Sequence, residues 1–195
     1  MHWSIFKTTL GLIMVCGLAD GCASTRAGGD PLMRYAQRRG WDADKAVEVL
    51  GNAPLLTSAQ IYYGGEISEY ALALTFLWRS GEDSQYWLFY DAKTLAGRLY
   101  ALTLIYEFNP RAYHRMKSEI DPKGVVWYQS GCVLSKVGVP EVFKMIEEAW
   151  FFDTAILKNQ KDIGTRKIVS TAQICASFYS STNQNKKVAV PSDGE

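Results

Sequence analysis

Four cysteines, two histidines and 20 carboxylates are the groups from which catalysis or metal binding would have to be built in this 195-residue chain. The histidines are His2 and His114, and His2 falls in a leader-like segment, so a zinc site of several histidines is excluded. Cys132 and Cys175 lack the paired spacing of a structural zinc motif. No Gly-x-Ser-x-Gly elbow marks an activated serine, and His114, between Tyr113 and Arg115 on a polar helical segment, reads as a surface residue. Glu66, Glu69, Asp83, Asp91 and Glu107 could supply two carboxylates for glycoside cleavage, but caps and turns account for them without catalysis. The expectation is a chain with no catalytic residues, no metal site and no cofactor, leaning away from an enzyme.

Recognition is better represented. Tyr62-Tyr63, Tyr86-Trp87 and Trp127-Tyr128 are adjacent aromatic pairs, and neighbouring side chains on a helix or strand cannot all face inward. Tyr62, Tyr63, Tyr86, Trp87 and Tyr128 are therefore expected to be partly exposed, as a candidate surface for a peptide, an envelope protein or peptidoglycan. The 21 basic and 20 acidic residues leave a net charge of +1, with no broad field to attract a nucleic acid. Arg38-Arg39 and Lys186-Lys187 are isolated basic pairs, read as solvated surface.

The amino terminus has the parts of a secretory signal: His2 and Lys7, then the apolar run LGLIMVCGL, then the small residues Ala19, Gly21 and Ala23. Lys7 and Asp20 cut the run short of the roughly 18 apolar residues a membrane span needs. Ala19-Asp20-Gly21-Cys22 resembles the signal of bacterial lipoproteins, whose cysteine is acylated on sulfur before cleavage. The Gly-Cys junction fits that pattern, while Ala19 and Asp20 depart from it. The resemblance implies a signal peptide over 1–21, lipidation of Cys22, a palmitate-type anchor and a tether over 22–29. It also implies a periplasm-facing place at the cell envelope and, in a Gram-negative cell, the outer membrane, since Ala23 rather than aspartate follows the cysteine. Removing Cys16 and acylating Cys22 leaves Cys132 and Cys175 as an even pair, expected to form a disulfide in an oxidising compartment. Closing that loop would be worth roughly 4 kcal/mol in the chain-entropy model.

Elements that would position these residues can be read from caps and periodicity. A composition of 48% hydrophobic and 21% charged residues suits one folded domain, placed at 30–180 with a disordered polar tail over 181–195. Asp30-Pro31, Asp42, Ser68, Asp83, Thr94 and Asn109-Pro110 each open an expected helix, with Gly40, Gly51 and Gly81 as stops. Ala96, Gly97 and Ala101 are expected to let a neighbouring helix approach closely. Val125–Val137 is β-branched and aromatic with glycine punctuation, which predicts a small β element. Pro140 opens an expected long helix to Lys158, and 165–179 suits helix or strand. The fold class is mainly α: short antiparallel helices in a compact bundle or irregular solenoid, with a small β element near 125–137. Through SEYALAL and AGRLYAL, residues 61–116 resemble uncharacterised bacterial lipoproteins of helical, HEAT-like content, a resemblance that implies no activity.

These readings converge on an exported, lipid-anchored envelope protein acting as a binding or interaction module. Two other classes stay open: a cell-wall or polymer-acting enzyme using unassigned carboxylates, and a periplasmic immunity protein against a toxin.

Overall fold

The computed structural model describes residues 31–62, 65–81, 83–157 and 167–187; the leader, Cys22 and the end of the tail lie outside them. The chain runs α1 (Pro31–Arg38), α2 (Ala43–Gly51), β1 (Leu55–Ile61), β2 (Glu66–Ser68), α3 (Glu69–Ser80), α4 (Ser84–Asp91) and α5 (Leu95–Phe108). It continues through α6 (Pro110–Lys117), β3 (Val125–Gly131), β4 (Val133–Gly138), α7 (Val139–Glu147), α8 (Trp150–Ala155), β5 (Ile168–Val169) and α9 (Thr171–Lys187). The described residues are thus mostly helical, with one mixed sheet of strand order β4-β3-β1-β2-β5.

Most helices begin where the capping residues placed them. Asp42, Thr94 and Asn109 accept hydrogen bonds from the backbone N–H of Lys45, Gly97 and Ala112 at 2.8, 3.0 and 3.1 Å. Such bonds satisfy first-turn amides that have no partner within the helix. Ser68 accepts from Tyr70 N at 3.2 Å while also ending β2, so strand passes into helix without a loop. Gly81 closes α3 at φ 65°, a left-handed conformation that suits glycine.

The sheet departs most from expectation. The β element near 125–137 is present as the antiparallel hairpin β3–β4, but β3 also pairs in parallel with β1, and β2 with β5. β1 is the central strand and is buried at every position except Gln60. Burial on both faces replaces the apolar-polar alternation with a continuous run, which hides such a strand from a periodicity argument. The predicted single helix after Pro140 is two helices, because Ala149 takes φ 56° and ends the first. That break carries Phe151 into the core against Tyr100 and Tyr128, with ring centroids 5.9 and 6.1 Å apart. Segment 165–179 divides into both forms, β5 then α9, and α9 continues to Lys187, past the boundary drawn at 180.

A polar knot crosses the core. The Tyr100 hydroxyl accepts the Thr57 N–H at 2.8 Å, and the Thr57 and Ser68 hydroxyls bond at 2.8 Å, all three residues being buried. Thr57 N–H would otherwise be a buried donor near the start of a β-bulge. On the other side of the core Gly97 brings α5 against α2: a Cβ there would stand 2.8 Å from the Leu50 carbonyl and 3.1 Å from Gly51 Cα. The expectation that small residues admit a neighbouring helix holds at this point.

Candidate functional site

The α4 sequence SQYWLFYD must bury Leu88 and Phe89, and helical spacing then turns Tyr86, Trp87 and Tyr90 outward. Trp87 is 69% exposed and Tyr90 57%. Tyr86 is half-buried, and its hydroxyl accepts a hydrogen bond from Asn109 Nδ2 at 3.2 Å across the start of α6. Asn109 therefore does two things: Oδ1 caps α6 through Ala112 N–H, and the amide nitrogen holds the tyrosine. Tyr86, Asn109, Arg111, Ala112 and Arg115 together line an open recess of about 370 Å³.

Electrostatically this corner is basic. Arg111 and Arg115 stand four residues apart, on one side of α6. Neither guanidinium has an ion pair or hydrogen bond among the described residues. Lys117, two residues beyond Arg115, is neutralised: Glu147 accepts from both Lys117 Nζ and the Tyr113 hydroxyl. The Lys117 ammonium, and then the tyrosine, hold the Glu147 carboxyl below its ordinary range, while burial pushes the Tyr113 hydroxyl up. What remains at the recess is two unpaired cations, an amide and a tyrosine face, beside an exposed tryptophan.

The five aromatic residues named as a single surface are not brought together. Tyr86 and Trp87 adjoin the recess. Tyr62 is half-buried at φ 61°, bonding the Gly131 carbonyl through its N–H and Ser177 Oγ through its hydroxyl, so it fastens α9 to the β3–β4 turn. Tyr63 lies outside the described residues. Tyr128 corrects the expectation: it is 5% exposed, because β3 is covered on this side by α8, with Trp150 and Phe151 against its ring.

The disulfide is also corrected. Cys132 and Cys175 are free thiols, the first exposed at the β3–β4 turn and the second half-buried on α9, with Sγ 3.6 Å from the Tyr70 hydroxyl. Cysteine counting thus no longer supports an oxidising compartment, and Cys22 lies outside the described residues. Among the carboxylates, Glu66 pairs with Lys167 and Glu69 accepts from Thr171 N–H and Oγ1 at the start of α9. Among the described residues no group of three or more His, Cys, Asp or Glu side chains could hold a metal ion, and no helix is long and apolar enough to cross a membrane.

Arg111, Arg115 and Asn109 are the residues of this recess that aromatic counting overlooks. Their signal was present in Asn109-Pro110-Arg111, where a capped helix start fixes which residues face α4. No family model, curated protein or solved structure matches the chain, so its site stands on this geometry alone.

Proposed function

We propose that the chain is an exported binding module, held at the bacterial cell envelope by a lipid on Cys22 and facing the periplasm, whose recess between α4 and α6 receives a carboxylate of a peptide or protein partner. The observation that carries the binding reading is the pair of guanidiniums, Arg111 and Arg115, that have no partner among the described residues, beside Tyr86 and Asn109 in a recess of about 370 Å³. Guanidinium pairs with carboxylate through two parallel hydrogen bonds, and tyrosine, tryptophan and arginine dominate binding hot spots. Exposed Trp87 extends that surface along α4. In this reading α2, α3, α4 and α5, packed on one another, form a compact bundle over the sheet instead of an open solenoid. Residues 22–29 then act as a flexible tether between lipid and domain.

The test is titration of a labelled tetraglutamate peptide into wild type, Trp87→Ala and the double variant Arg111→Glu with Arg115→Glu. Wild type binds saturably, the tryptophan variant binds about tenfold more weakly, and charge reversal abolishes binding. Equal binding by wild type and the double variant would remove the recess from the proposal.

A further inference from the structure

The two guanidiniums in the recess between α4 and α6 carry a spacing as well as a charge. Arg111 and Arg115 are four residues apart on α6, so their stems leave one side of the helix about 5–6 Å apart at Cβ. Both side chains are exposed, both line the recess, and neither has an ion pair or hydrogen bond among the described residues. Ala112, the other residue of the α6 helix in the lining, adds only a methyl group beside them.

Tyr86 supplies a further donor. Its hydroxyl accepts from Asn109 Nδ2 at 3.2 Å, and Asn109 is itself fixed by the Ala112 N–H bond to its Oδ1 at 3.1 Å. The tyrosine's own O–H proton is not used in that bond and has no acceptor among the described residues. The lining therefore offers two guanidiniums and a hydroxyl proton, with no carboxylate of its own to satisfy them.

We infer that the recess receives two carboxylates at positions i and i+2 of an extended peptide, an acid-x-acid segment. This rests on the carboxylate reading above and specifies its partner. Alternate residues of an extended chain point to one side and lie about 6.6–6.8 Å apart, close to the separation of the two arginine stems. Adjacent acids point to opposite sides, and acids at i and i+4 of an extended chain are about 13 Å apart. A helical ligand could also bring i and i+4 acids close, but like charges at that spacing destabilise a helix, and short peptides are marginally helical in water. One carboxylate shared by both arginines would offset only one of two positive charges. Two carboxylates offset both, each meeting the planar edge of one guanidinium. The Tyr86 hydroxyl, held at the start of α6 by Asn109, donates to the carboxylate on Arg111.

The experiment measures binding of terminally blocked, dye-labelled peptides with two glutamates in a glycine-serine background, placed adjacent, at i and i+2, or at i and i+4, beside a single-glutamate control. Wild type binds the i, i+2 peptide about tenfold more tightly than the other three. Arg115→Gln lowers its affinity to that of the single-glutamate peptide and removes the dependence on spacing. Tyr86→Phe weakens it severalfold without lowering the melting temperature, and a variant that binds like wild type would take the tyrosine out of the site. Equal affinity for all three spacings, a single glutamate that binds as tightly, or tightest binding at i, i+4 would each overturn the acid-x-acid inference while leaving carboxylate recognition in place. Failure of every glutamate peptide, tetraglutamate included, would remove both.

Discussion

The Tyr100 hydroxyl takes a backbone N–H, that of Thr57, at the start of the bulge in β1. Tyr100→Phe keeps the ring against Phe151 but strands the Thr57 donor, and should cost about 1–3 kcal/mol in urea denaturation. Glu147 makes a different prediction. Its carboxyl is depressed when folded, chiefly by the Lys117 ammonium, so its contribution is complete above the unfolded value of about 4.3 and fades as pH falls through the lower folded value. Between pH 6 and pH 3 wild type should therefore lose more stability than Glu147→Gln, and parallel losses in the two proteins would contradict the pairing. At this scale adjacency was an unreliable guide. Trp127 and Tyr128 do point to opposite sides of β3, but α8 covers the Tyr128 side, so alternation did not mean exposure.

Among the elements, those opened by a side-chain cap were legible. Asp42, Ser68, Thr94 and Asn109 each satisfy a first-turn amide, a local interaction that depends on few residues. β1 was not legible, since its identity comes from strands and helices far away in sequence that bury both of its faces. In α3 Tyr70 through Leu77 are likewise all buried, so no polar face reveals the helical period, and its cap and stop residues alone mark it in the sequence. The α7–α8 break was hidden because alanine does not announce a positive φ. Ala149→Gly should raise the melting temperature by relieving that conformation, worth about 1 kcal/mol, whereas Ala149→Val should lower it. Gly97→Ala should act in the opposite sense, losing about 1–3 kcal/mol as α5 is pushed off the Leu50 carbonyl.

At the scale of the whole molecule, the recess between α4 and α6 is cationic and aromatic and lies on a helix-rich scaffold. The aromatic excess indicated recognition, yet burial divides those residues among a core, a fastening for α9 and one exposed surface, a division that only tertiary packing determines. The anchor and the domain make separate predictions. Membrane fractions should retain wild type with added acyl mass and release Cys22→Ala. Alkylation without reductant should label both Cys132 and Cys175, the exposed Cys132 faster. The central claim, carboxylate recognition by Arg111 and Arg115, is tested most directly by the salt dependence of tetraglutamate binding. Wild-type affinity should fall steeply between 20 and 300 mM sodium chloride, by about tenfold or more, as screening weakens the ion pairs. Arg111→Gln with Arg115→Gln should bind weakly at both concentrations; an affinity in wild type that ignores salt and survives this double substitution would contradict the account.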